Sequence, residues 1–150
     1  MSSTTIPLSE LYLEDETAWL EAMAERIQAG DFSELDYTHL WEYLTDMARR
    51  DRREVESRLV VLLLHVLKWV AQPDLRTGSW RASIIAQRQE LVRLTGRGVL
   101  RNHAEAVLND LYPEAVERAS AETGLVSDAF AAECPYSVDE LLAFDPDLSK

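Results

Sequence analysis

Apolar residues recur every three or four positions along most of the chain, a period that predicts α-helices rather than strands. Trp19, Leu20, Met23, Ala24 and Ile27 line one face of a first helix over about residues 8–29, its start left open as irregular. Glu10, Glu14, Asp15 and Glu16 suit the positive end of the helix dipole, and Gly30 follows as a C-terminal cap. Asp36, a good N-cap residue, opens a second helix striped by Leu40, Trp41, Leu44 and Met47. The spacing Asp51-Arg-Arg-Glu54 reads as a capping box and predicts a break or sharp bend near Arg50. Neither Gly nor Pro stands there, so one continuous helix is the alternative.

Residues 52–71 form the most apolar segment. Val55, Leu59, Leu62, Leu63, Val66, Leu67 and Val70 cover more than one face, and Val60, Val61 and Leu64 widen the arc. A helix apolar nearly all round belongs in a core with neighbours on several sides. Pro73 and Gly78 turn the chain, and Ser79 is the expected cap of a fourth helix bearing Trp80, Ile84, Gln87, Leu91 and Leu94. Gly96 and Gly98 end it. A fifth helix over 99–122 carries Ala104, Val107, Leu108, Leu111, Ala115, Val116 and Ala119, and must kink or restart at Pro113. Gly124 closes it, a helical turn follows near 127–132, and Ser137-Val-Asp-Glu140 is a second capping box before a last short helix. The expected fold is all-α: an up-and-down helical bundle of about five main helices around a very apolar central one, plus short C-terminal helices.

A length of 150 residues fits a single helical domain, with residues 1–8 and 146–150 expected to be loosely ordered. Only five Gly and five Pro argue against an all-β sandwich. The lone Cys134 excludes an internal disulfide. The first residues carry no basic start or apolar run, so no signal peptide is expected. The longest apolar run, Leu59 to Leu64, falls far short of the ~20 residues a membrane span needs.

Charge changes this picture more than composition does. Residues 1–48 hold one basic side chain, Arg26, against eleven acidic ones. Residues 49–101 hold twelve basic against five acidic, and residues 102–150 two against eleven. The simplest reading lays the basic central helices against acidic terminal ones. The alternative leaves a basic face open to an anionic partner, which the net charge of −12 disfavours for nucleic acid.

Candidate chemistry is sparse. Arg81 and Arg88 lie seven residues apart, close to two turns, and share a helix face with Gln87 and Ile84 nearby. Lys68, Trp69 and Gln72 end the preceding helix. If the two helices pack antiparallel, Lys68, Arg81, Gln87 and Arg88 converge as a candidate anion-binding site for a carboxylate or phosphate, which a guanidinium fork holds with two hydrogen bonds. The competing reading pairs Arg81 and Arg88 with Glu54, Glu56 or the acidic C-terminal helix.

His39 and Glu42 share a turn, but a di-iron bundle needs Glu-x-x-His on two helices, and the sequence contains none. His65 reads as a hydrogen-bonded core histidine and His103 as an exposed one. Cys134 lacks a neighbouring base, and Glu133 opposes a thiolate. The run Arg49-Arg50-Asp51-Arg52-Arg53 has interleaved acids and no aromatic stacking platform. Phosphate loops, catalytic triads and CxxC pairs are absent. No metal and no cofactor are expected, and Trp19, Trp41, Trp69 and Trp80 are all expected in the core.

Three blocks nonetheless resemble one family: Glu56 through Trp69; Gln72-Pro73 with Ser79-Trp80-Arg81, Ile84, Gln87 and Arg88; and Ala121-Glu-Thr-Gly-Leu125 followed by Glu133-Cys-Pro-Tyr-Ser137. Together they resemble the uncharacterised bacterial family known as domain of unknown function 29, over about Tyr12 to Leu142. The resemblance implies an all-helical bacterial, and hence cytoplasmic, domain and carries no reaction or functional residue with it. Pro113 departs from the family pattern, in which the helix runs on. Two functions stand as expectations. One is a non-enzymatic interaction module that binds a protein partner or a second copy of itself. The other is a small enzyme or anion-binding protein built on the Arg/Lys cluster. Neither nucleic acid nor a membrane is expected as a partner.

Overall fold

Helix follows helix in the computed structural model, which describes residues 6–147. The helices are α1 (Leu8–Glu14), α2 (Glu16–Ala29), α3 (Tyr37–Ala71), α4 (Gly78–Thr95), α5 (Val99–Thr123) and α6 (Val138–Leu142). Short 3-10 turns span Phe32–Glu34, Pro73–Leu75 and Ser127–Ala129, and no strand occurs among the described residues. The protein is an all-α helical bundle. Its chain divides into two compact units, one ending at Arg49 and the other beginning at Arg50. Of the expected loose ends, residues 1–5 and 148–150 lie outside the described residues; Leu8 opens α1, and Pro146 is fully buried.

In the first unit, the single helix expected over 8–29 is two. Asp15 leaves helical geometry at φ −153°, and its Oδ1 accepts from the Ala18 backbone N–H at 3.1 Å. A short carboxylate that can cap the following turn favours the cap over a mid-helix position. Gly30, at φ 80°, ends α2 in the left-handed conformation that an alanine would adopt only under strain. Asp36 opens α3 as expected: its Oδ1 accepts from the His39 N–H at 3.3 Å. Among the described residues, Trp19 and Met23 are the buried apolar side chains of this unit. The Trp19 indole donates to Asp36 Oδ2 at 3.2 Å, with the Tyr12 and Tyr43 rings 4.8 and 5.9 Å away.

The expected break near Arg50 is absent, and α3 is one helix of 35 residues. Glu54, which a capping box would need, instead accepts from Arg58 Nε one turn on at 3.0 Å. No Gly or Pro, the two residues most costly inside a helix, interrupts the backbone ladder there.

Within the second unit the apolar segment is sheathed as expected. Val55, Leu59, Leu62, Leu63 and Val66 are fully buried in one cluster with Ile84 and Leu91 of α4, Ala104 and Ala119 of α5, and Leu141 of α6. Each buried leucine contributes about 1.5–3 kcal/mol. Two residues of the arc are exceptions: Val61 is partly exposed, and Val70 is half exposed on the last turn.

Two other local expectations need correcting. The cap of α4 is Thr77 rather than Ser79: Thr77 has extended backbone, and its hydroxyl accepts from the Trp80 N–H at 3.1 Å. Helix α5 does not restart at Pro113, which is exposed and lies inside one continuous helix of 25 residues. Gly124 (φ 76°) ends α5, and the capping box of Ser137 and Glu140 forms with both bonds in place, at 3.1 and 3.2 Å.

Candidate functional site

The four residues of the expected anion site point in three directions. Lys68 is buried near the end of α3, where its Nζ donates to Glu122 Oε2 of α5 at 2.9 Å and lies 4.5 Å from the centroid of Trp80. Gln87 turns to α3, its Oε1 accepting from Arg58 Nη1 at 3.1 Å, and Arg58 is already paired with Glu54. A shallow cleft beside Gln87 is lined by Glu54, Ser57, Arg58 and Val61, and not by Lys68, Arg81 or Arg88. Arg81 and Arg88 do share a helix face, as their spacing predicts, and both meet the C-terminal segment. Arg81 Nε donates to the Pro146 carbonyl at 2.9 Å, and Arg88 Nη1 to the Phe144 carbonyl at 2.5 Å. These guanidiniums therefore satisfy main-chain acceptors after α6, which no helix ladder would otherwise serve.

The charge layout is realised in part. Lys68–Glu122 and Arg101–Asp139 (2.6 Å) join the basic middle of the chain to its acidic last third. Arg101 also pairs with Glu105 at 2.9 Å, and the two carboxylates hold its guanidinium pKa above the ordinary value.

His39, His65 and Cys134 are engaged in structure. His39 stacks on Tyr12 with centroids 4.3 Å apart, and its Nδ1 bonds Asp36 Oδ2 at 2.7 Å. Burial alone would raise the Asp36 carboxyl; the bonds from the His39 ring, the His39 N–H and the Trp19 indole outweigh it and hold the pKa below the ordinary carboxylate value. His65 Nδ1 bonds the Val61 carbonyl at 2.8 Å, the satisfied core histidine expected. His103, expected on the surface, is half-buried with Nε2 3.6 Å from Glu56 Oε2 and no hydrogen bond. Cys134 donates to the Tyr136 carbonyl at 3.3 Å, and burial, with Glu140 adding to it, pushes the thiol up from its ordinary value.

An apolar face that the sequence placed in the core lies open instead. Along the first turns of α3, Leu40, Tyr43 and Met47 are half-buried, and Tyr43 packs toward Trp19. Beside them, Tyr37, Trp41 and Leu44 are 57%, 68% and 58% exposed, and Ala48 one turn on is exposed too. Helical spacing puts Leu40, Trp41, Leu44 and Met47 in one stripe, of which Leu40 and Met47 are half-buried and Trp41 and Leu44 are exposed. The signal was present in the sequence: Tyr37, Trp41, Leu44 and Ala48 repeat at +4, +3 and +4, parallel to the covered row. Ile6, Leu13, Ile27 and Phe32 of the same unit are also exposed. The Tyr37 hydroxyl donates to the Phe32 carbonyl, placing the turn at Phe32–Glu34 against one end of the stripe.

Comparison with known proteins adds one finding. The family model described as "Domain of unknown function DUF29" matches residues 11–145, a span that takes in both units. No curated protein and no solved structure matches the chain.

Proposed function

The chain belongs to the DUF29 family, and from that premise we propose that it is a non-enzymatic helical interaction module that binds a protein partner or a second copy of itself through the open face of α3. One observation carries this reading. Among the described residues, the N-terminal unit buries two apolar side chains, Trp19 and Met23, and leaves Tyr37, Trp41 and Leu44 in line on the surface of one helix. Scattered exposed apolar residues are ordinary, whereas an aligned stripe that includes a tryptophan is the composition of a binding hot spot. The anion-binding alternative loses support because Lys68, Arg81 and Arg88 each already have a protein partner. A cytoplasmic, bacterial setting is part of the proposal: no helix among the described residues is long and apolar enough to cross a membrane, and the single cysteine asks for no oxidising compartment.

Sedimentation over a wide concentration range, combined with photo-crosslinking from an analogue placed at Trp41 in cells, tests it. The expected result is either a concentration-dependent oligomer or one discrete adduct, each lost in Leu44→Glu. A monomer at every concentration, with no adduct beyond that of a control at the exposed Glu21 of α2, removes the proposal.

A further inference from the structure

The open stripe of α3 sits in a unit whose charge is one-sided. Residues 1–48 carry eleven acidic side chains and the single cation Arg26, which donates to the Ala22 carbonyl at 3.3 Å. Among the described residues, the ion pairs formed within this unit are Asp36–His39 and the exposed Asp46–Arg49 at 3.6 Å. Glu42 lies one turn before Asp46 on the same helix, and Asp31 and Glu34 stand exposed on either side of the Phe32 that Tyr37 touches. The field of these carboxylates reaches a neighbouring side chain: after burial, Glu42, Glu16 and Asp46 raise the pKa of the Tyr12 phenol.

Charge and shape together limit what can cover the stripe. Nucleic acid and anionic lipid are polyanions, which an acidic unit repels. A second copy laid parallel would set like charges against like. A row repeating at +4, +3 and +4 is the complement of another helix with the same spacing, whose knobs enter the gaps of the row. From Tyr37 to Ala48 the row spans about three turns, or roughly 16 Å at 1.5 Å per residue. We infer that this face receives a basic amphipathic helix of a partner protein, three to four turns long, its apolar stripe on Tyr37, Trp41 and Leu44 and its Lys or Arg side chains toward Asp31 and Glu34. The inference rests on the interaction reading above and specifies its partner.

Two synthetic helices with one identical leucine stripe, flanked by lysines in one and by glutamates in the other, separate the outcomes when titrated into the full chain. The lysine helix is expected to bind at least about tenfold more tightly than the glutamate helix, to weaken as salt rises, and to lose at least about tenfold in Trp41→Asp and in Leu44→Glu. Both substituted positions are exposed, and circular dichroism confirms that each variant keeps its helix content. Equal binding of the two helices through Trp41 would overturn the basic partner while leaving the docking face intact. Binding of the lysine helix unchanged by either substitution would place it on diffuse acidic surface and overturn the inference. A Trp41-dependent dimer, or Trp41-dependent attachment to neutral phosphatidylcholine vesicles, without peptide binding would assign the stripe to another occupant. No binding by a strictly monomeric chain would remove both this inference and the interaction reading.

Discussion

Replacing Trp19 by alanine is expected to unfasten the N-terminal unit while the equivalent change at Trp41 leaves it standing. Trp19 is fully buried, and its indole N–H reaches Asp36, the residue that caps α3. A buried tryptophan removes about 150–250 Å² from water, which at about 25 cal/mol per Å² amounts to roughly 4–6 kcal/mol. Measured losses for such truncations run at about 3–5 kcal/mol, and the indole hydrogen bond adds about 1 kcal/mol. Among the described residues, Met23 is the other buried apolar side chain in the unit, so little remains to compensate. Trp41, 68% exposed, contributes no comparable burial, and its truncation should stay within about 0.5 kcal/mol.

Hydrogen exchange followed peptide by peptide is the assay, with amides of α5 as the internal reference. In Trp19→Ala the amides of α2 and the first turns of α3 should lose protection by about a thousandfold, or entirely if the unit is less stable than about 4 kcal/mol. Trp19→Phe keeps most of the area and should lose only the hydrogen bond, about 1 kcal/mol. Wild-type protection of α2 in Trp19→Ala, or an equal loss in Trp41→Ala, would refute the assignment of core and surface in this unit.

Two further outcomes follow from the described contacts. Because the Asp36 carboxyl is held below its ordinary pKa in the folded unit, its stabilising contribution is complete above the unfolded value of about 3.9 and is lost as pH falls through the lower folded one. The Trp19 indole resonance should report acid unfolding of this unit in wild type, and Asp36→Asn should flatten that part of the profile; identical acid profiles would refute the linkage. At the other pair, Glu122→Ala leaves the Lys68 ammonium without its partner in a site where the Lys68 side chain is 10% and that of Glu122 46% exposed, so the cost should be about 1–2 kcal/mol after allowing for solvent screening. Lys68→Met keeps the stem against Trp80 and should cost less than about 1 kcal/mol; urea titrations giving the reverse order would contradict the buried-charge argument.

Much of this protein is written in local chemistry. The caps at Gly30, Asp36 and Gly124 and the box at Ser137 and Glu140 each satisfy backbone groups a few residues away, so sequence alone identifies them. The run from Val55 to Leu67 is apolar on too many sides for any place except a core, and it lies in one. Local chemistry misleads where two neighbouring groups can serve the same need. Asp51 and Glu54 have the form of a capping box, but Glu54 pairs with Arg58; Thr77 stands two residues before Ser79 and takes its role; and Asp15 caps a helix in place of extending one.

The candidate sites were decided only by the tertiary structure. The spacing of Arg81 and Arg88 correctly puts them on one face, but their partners are the carbonyls of Pro146 and Phe144, 65 and 56 residues away. Trp19 and Trp41 both recur at helical spacing, yet one is sealed and the other bare. A helical period specifies which side chains share a face, since rotation per residue is a property of the backbone. Whether that face meets water, a carboxylate or another helix depends on chain segments far off in sequence, and their packing alone assigns each face its neighbour.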